Sequence, residues 1–193
     1  MKFRDLRVLT TLVTTLVAIH ALNRPITLGW VILSPETFSE YIMRNSDAYE
    51  GAFFTLFVLT IIAFAWWIYV AGANLEALGH ADLEFTAESR VWWFAVPFAN
   101  LVMPYRGMRE LWTVSHGDAE HPDTGLVALW WALWLANGVA GWIFVRSDEQ
   151  VMTMLWVVAV LALALATVAI AILRGITKAQ NRMIAEELHE VFE

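Results

Sequence analysis

Apolar residues run along this chain in long blocks, with most of the charges gathered between them. Gly51 to Ala73 carries no charge over 23 residues, more than the roughly 20 a helix needs to cross a hydrocarbon core. Gly125 to Val145 and Val151 to Leu173 have the same character and are separated only by Arg146 to Gln150, so they predict an antiparallel hairpin of spans. Ser147 and Gln150 stand at capping-box spacing for the last helix. Leu6 to Leu22 is shorter and Thr-rich, behind a basic start of Lys2, Arg4 and Arg7. A signal peptide has that profile too, but Ile19 makes a poor residue at the −3 position before Ala21, and a further span is expected.

Val91 to Trp112 begins in the same manner and then breaks off at Pro97, Asn100 and Pro104, ending in Arg106, Arg109 and Glu110. As a helix, Val91 to Pro104 would rise about 21 Å, short of a core of about 30 Å. Each proline removes an amide donor and disfavours helical geometry in the residue before it. Charge decides the topology. With four spans and a cytoplasmic N-terminus, nine Lys and Arg residues fall inside and three outside; if Val91 to Pro104 also crosses, five fall inside and seven outside. Cytoplasmic loops carry the excess, so four spans are expected.

The fold class is therefore an all-α integral membrane protein forming a single domain over residues 1–193. Its expected spans are 6–22, 51–73, 125–145 and 151–173, with a proline-broken re-entrant or interfacial helix over 91–115 on the cytoplasmic side. A cytoplasmic tail helix over 176–193 would place Met183, Ile184, Leu188 and Val191 on one face. Ser34-Pro35-Glu36 starts a short outer helix with Phe38, Tyr41 and Ile42 as its stripe, and Asp47 and Glu50 have the spacing of a capping box before the second span.

Composition narrows the chemistry. The 193 residues are 59 % hydrophobic and 16 % charged, with no cysteine, which excludes disulfides, thiolate metal sites and cysteine nucleophiles. A net charge of −7 gives no basic footprint for nucleic acid. No nucleophile elbow, phosphate-binding glycine loop or zinc-protease motif occurs.

Candidate residues remain. His20, near the outer end of the first span, offers an imidazole for a tetrapyrrole metal or a hydrogen bond to a neighbouring helix. His116, Asp118 and His121 are ligand types for a divalent metal close together in a loop, with His80 and Asp82 in the same loop. Glu76, Asp82, Glu84, Glu88 and Glu110 could hold a carboxylate pair. Asn137, Gly138 and Gly141, with alanines at 132, 136 and 140 facing alanines at 162 and 166, predict close packing of the last two spans.

Tryptophan is the anomaly. Eight of eleven fall on the cytoplasmic side: Trp66, Trp67, Trp92, Trp93, Trp112, Trp130, Trp131 and Trp134. An interfacial belt would populate both faces. With Asn100, Tyr105, Arg106 and Arg109 among them, Trp66, Trp67, Trp92, Trp93 and Trp112 would wall an inner-leaflet cavity for an anionic amphiphile such as a lipid headgroup. Snorkelling arginines in an aromatic belt are the plain alternative. The expected function is a non-catalytic membrane protein binding a lipid or another membrane protein, as an accessory subunit of a larger complex. The competing expectation is an enzyme or cofactor protein using the loop ligands or His20.

Three stretches carry a resemblance: WWIYVAGANLEALG (Trp66 to Gly79), WWFAVPFANLVMPYRGMRELW (Trp92 to Trp112) and RGITKAQ (Arg174 to Gln180). Together they resemble a bacterial membrane-protein family known as a domain of unknown function. In it a tryptophan-rich span enters an Ala-Asn-Leu turn, followed by this proline-broken block, a hydrophobic hairpin and a short tail ending in glutamine. The resemblance covers about Gly51 to Gln180 and supports the architecture without implying an activity. Together with the charge count, it makes the bacterial inner membrane the expected location, with both termini cytoplasmic.

Overall fold

The computed structural model describes residues 3–80, 82–117, 124–144 and 151–192, with side chains described as far as Ala185. Six α-helices account for most of them: α1 (Arg7–Leu33), α2 (Pro35–Ala77), α3 (Ala87–Trp92), α4 (Met103–His116), α5 (Gly125–Phe144) and α6 (Val151–Phe192). Among the described residues, α1, α2, α5 and most of α6 are long and apolar enough to cross a membrane.

α1 and α2 form one hairpin and α5 and α6 another, with α1 and α5 both packed on α6. Both helices of the first hairpin run further than the hydropathy blocks suggest. α1 continues through Pro25 to Leu33, and α2 starts at Pro35. The residues expected to form a separate outer helix are the first turns of α2; Trp30 packs on Phe38 and Tyr41 there. No capping box opens at Asp47, because the chain is already helical; it kinks at Asn45 (φ −132°, ψ 21°), whose Nδ2 donates to the Tyr41 carbonyl at 3.0 Å. A side-chain donor that competes for the i−4 carbonyl is a known source of such bends.

The core sits at one end of the bundle, called here the base. It comprises Leu6 and Val13 of the first helix region, Trp67 to Leu75 of α2, Met108 and Leu111 of α4, Val127, Trp130 and Trp131 of α5, and Ala169 to Ile176 of α6. Away from the base, apolar side chains such as Phe54, Ile61, Trp142 and Val160 are exposed. Of the small residues on α5, Ala140 is buried, but Ala132 and Ala136 are exposed and a Cβ at Gly138 or Gly141 would meet open space. α5 does pack on α6, but not through those glycines. Ser147 and Gln150 lie outside the described residues, as do the side chains of Leu188 and Val191.

Candidate functional site

Residues 91–115 are not one helix. α3 ends at Trp92, turns follow through Pro97, a 3-10 turn occupies Ala99–Leu101, and α4 starts with Pro104 in its first turn. Phe98 sits between them at φ 63°, a non-glycine residue in the left-handed region, a conformation costing roughly 1–2 kcal/mol. α4 ends at Gly117, whose left-handed φ of 71° suits a residue without Cβ.

The segment is seated by aromatic rings. Phe94 meets Phe64 edge-on, Phe64 lies beside Trp130, and Trp131 stacks on Trp134 at 4.6 Å. The Trp131 indole N–H donates to the Leu101 carbonyl at 3.1 Å, which ties α5 to the 3-10 turn. Trp67 is fully buried and donates to Thr10 Oγ1 at 2.7 Å. Trp66 is exposed and stacks on Tyr69; Trp93, Asn100 and Tyr105 are half-buried, and Trp92 is 69 % exposed. Trp112 packs against Gly175 of α6 and against His116. The tryptophans proposed to wall one cavity are thus distributed: Trp67 in the core, Trp112 against α6, and Trp66 and Trp92 outward.

Arg106 pairs with Glu84, and Arg109 is exposed with no ion pair among the described residues. The buried guanidinium is instead Arg90, which sequence reasoning passed over. Its side chain is 1 % exposed and donates to Glu110 Oε2 (2.6 Å), the Gly107 carbonyl (2.6 Å) and the Phe85 carbonyl (3.2 Å). Burial lowers the Arg90 pKa from its ordinary value, while the Glu110 and Glu76 carboxylates push it back up. Glu110 also accepts the backbone N–H groups of Glu84 and Phe85, and Glu76 accepts that of Ala87 at 2.8 Å. Three of the five candidate carboxylates thus brace backbone or pair with arginine; Asp82 and Glu88 are exposed.

A second clasp closes the base. Gln180 of α6 is fully buried; its Nε2 donates to the Ala71 carbonyl (3.0 Å) and Ser115 Oγ (3.1 Å), and its Oε1 accepts from Asn74 Nδ2 (3.1 Å). Asn74 also exchanges two hydrogen bonds with the Arg4 backbone, both at 3.0 Å. Every amide donor and acceptor of Asn74 and Gln180 has a partner, so this cluster holds the segment ahead of α1 together with α2, α4 and α6.

His20 stacks on Phe53 at 5.0 Å and lies near Phe57, with Nδ1 buried and unpartnered. His116 is exposed, its Nδ1 2.8 Å from the Trp112 carbonyl. Asp118 and His121 lie outside the described residues, among which no three ligating side chains gather to hold a metal.

Fold and geometry define a class: an all-helical protein with four helices fit to cross a membrane, closed at one end by buried polar clasps. Within that class, the chain belongs to the family described as a domain of unknown function, DUF4328, which matches residues 37–181. No curated protein and no solved structure matches it. The family region contains both clasps except for Arg4, supplied by the chain ahead of it.

Proposed function

We propose that this is a non-catalytic, multi-pass protein of the bacterial inner membrane whose segment 91–112 enters the inner leaflet and binds an anionic lipid or similar amphiphile. Four spans would leave the base at the cytoplasmic end of the bundle and both termini in the cytoplasm. One observation carries this reading: the turn between α3 and α4 presents Phe98, 86 % exposed, flanked by exposed Val96, Leu101 and Val102. Leaving a phenylalanine side chain in water forgoes about 1.5–3 kcal/mol, and this one is also held in a costly backbone conformation. Acyl chains around the tip remove the first cost. Non-helical backbone at that depth needs protein partners; the Trp131 bond to Leu101 is one. With Arg106 engaged by Glu84, the exposed arginine of α4 left for a headgroup is Arg109.

The test is a nitroxide at Phe98→Cys in liposomes, in a chain with no competing cysteine. Collision with oxygen should exceed collision with a water-soluble nickel complex. Native mass spectrometry should show that Arg109→Lys loses bound phosphatidylglycerol, since a point charge cannot replace a bidentate guanidinium. A water-accessible nitroxide, or unchanged lipid retention, overturns the proposal.

A further inference from the structure

α1 and α6 do not close completely where they leave the base. Between them lies a groove of about 570 Å³. On one side it is lined by Arg174, Lys178 and Arg182 of α6, and on the other by Arg7, Thr14 and Thr15 of α1. The three α6 cations stand four residues apart, so they form a ladder on one helix face. Like charges at that spacing disfavour the helix, and Arg174, Lys178 and Arg182 have no ion pair among the described residues. Arg7 has only a loose contact, 4.0 Å from Asp5, with both side chains exposed. No carboxylate lines the groove among the described residues, in a chain whose net charge is −7.

The groove has a polar floor. Thr177 Oγ1 donates to the Leu173 carbonyl at 2.8 Å, so in its 2.6 Å contact with Thr10 it accepts, and Thr10 in turn accepts from Trp67. That chain is internally satisfied and holds the two helices at a fixed spacing. Thr15, exposed one turn further along α1, makes no hydrogen bond and has a hydroxyl to offer. The groove also sits where charge begins: α6 carries none from Val151 to Leu173 and three cations in the next nine residues.

We propose that this groove binds a phosphate group, with Arg174 and Lys178 as its principal cations, Arg182 and Arg7 at the rim and the Thr15 hydroxyl as a neutral donor. The chemistry is that of a phosphate ester, which either a phospholipid headgroup or a soluble phosphate can supply. Spanning helices place the groove at headgroup depth, so the lipid source rests on the membrane reading above. It does not depend on the segment at 91–112.

The experiment uses full-length protein in vesicles of equal phosphatidylglycerol and phosphatidylcholine, followed by native mass spectrometry of retained lipid. The paired variant Arg174→Gln with Lys178→Gln should cut phosphatidylglycerol retention by about tenfold or more, as expected for two cations near an anionic headgroup. Thr15→Val, which alters no charge, should lower it by a smaller factor; Arg109→Gln should leave this bound lipid in place. A parallel arm adds inorganic phosphate to lipid-free protein in neutral detergent and reads the melting temperature. A rise in wild type that the paired variant lacks, with lipid retention unaffected, assigns the site to soluble phosphate. Equal lipid retention and equal phosphate response in wild type and the paired variant overturn the proposal. Loss only in Arg109→Gln does so too, and leaves the segment at 91–112 as the lipid site. Labelling of Ser39→Cys from the outside verifies that the paired variant has kept its topology.

Discussion

Gln180 Oε1 accepts a hydrogen bond from Asn74 Nδ2 at 3.1 Å across 106 positions of sequence. The pair joins the end of α2 to the part of α6 that continues past its uncharged stretch. Gln180→Ala would remove partners from Asn74, the Ala71 carbonyl and Ser115 at once. A stranded buried polar group costs about 1–3 kcal/mol. Gln180→Ala should therefore melt well below wild type in detergent, and Gln180→Glu lower still, because its new charge loses the Nε2 donor. Thermal unfolding followed by circular dichroism checks both; a Gln180→Ala curve overlying wild type contradicts the clasp.

Arg90 and Glu110 make a different kind of bond. Breaking a buried pair by removing one partner typically costs about 3–5 kcal/mol, because the other charge is left uncompensated. Arg90→Leu or Glu110→Leu alone should therefore be severely destabilised. The double variant should recover part of the loss. Arg90→Lys should not rescue, since one ammonium cannot reach Glu110 and the Gly107 and Phe85 carbonyls with the same geometry. Strictly additive losses in a double-mutant cycle would refute the coupling.

Both clasps explain what the sequence made legible and what it did not. Three uncharged blocks longer than a bilayer core is thick, and a shorter Thr-rich one behind a basic start, were enough to find four long apolar helices, because a helix is specified locally. The helix ends were not: α1 and α2 extend beyond their apolar blocks because they pack on each other, as in the Thr27–Tyr49 hydrogen bond at 2.9 Å. Arg90 was passed over because an isolated arginine beside an apolar run looks solvated; only the fold brings Phe85, Gly107 and Glu110 around it. Asn74 and Gln180 were visible in the resemblance, and an amide in a run of small residues is a fair signal for a buried bond, but nothing local pairs them. The candidate cavity suffered from the same limit. The positions of tryptophans along the sequence do not say which rings face each other.

Glycines give a prediction whose sign depends on position. A Cβ at Gly175 would lie 2.8 Å from Trp112, and one at Gly72 would lie 3.1 Å from the Ala87 Cα and from Arg90 Cδ. Alanine gains up to about 1 kcal/mol in helix propensity, but overpacking of this kind costs about 1–3 kcal/mol, so Gly175→Ala and Gly72→Ala should destabilise. Gly138→Ala and Gly141→Ala meet open space and should leave the melting temperature unchanged or slightly raised. A reversed order would mean that α5 packs through its glycines after all.

The seat of the 91–112 segment can be loosened without unfolding the bundle. Trp131 stacks on Trp134 with an 8° interplanar angle and donates to the Leu101 carbonyl at 3.1 Å. Trp131→Phe keeps an aromatic ring but removes the donor, leaving the carbonyl of an exposed turn residue without its α5 partner. The clasps at Arg90 and Gln180 lie outside this contact, so global stability should fall only by about 1 kcal/mol for the lost hydrogen bond plus the cost of the ring atoms removed from a buried site. Local opening should increase. With a cysteine at Leu101, which is exposed, a membrane-permeant maleimide should react several-fold faster in the Trp131→Phe background, while a cysteine at exposed Ser39 reacts at an unchanged rate. Equal rates at Leu101→Cys in both backgrounds would mean that the rings alone hold the turn.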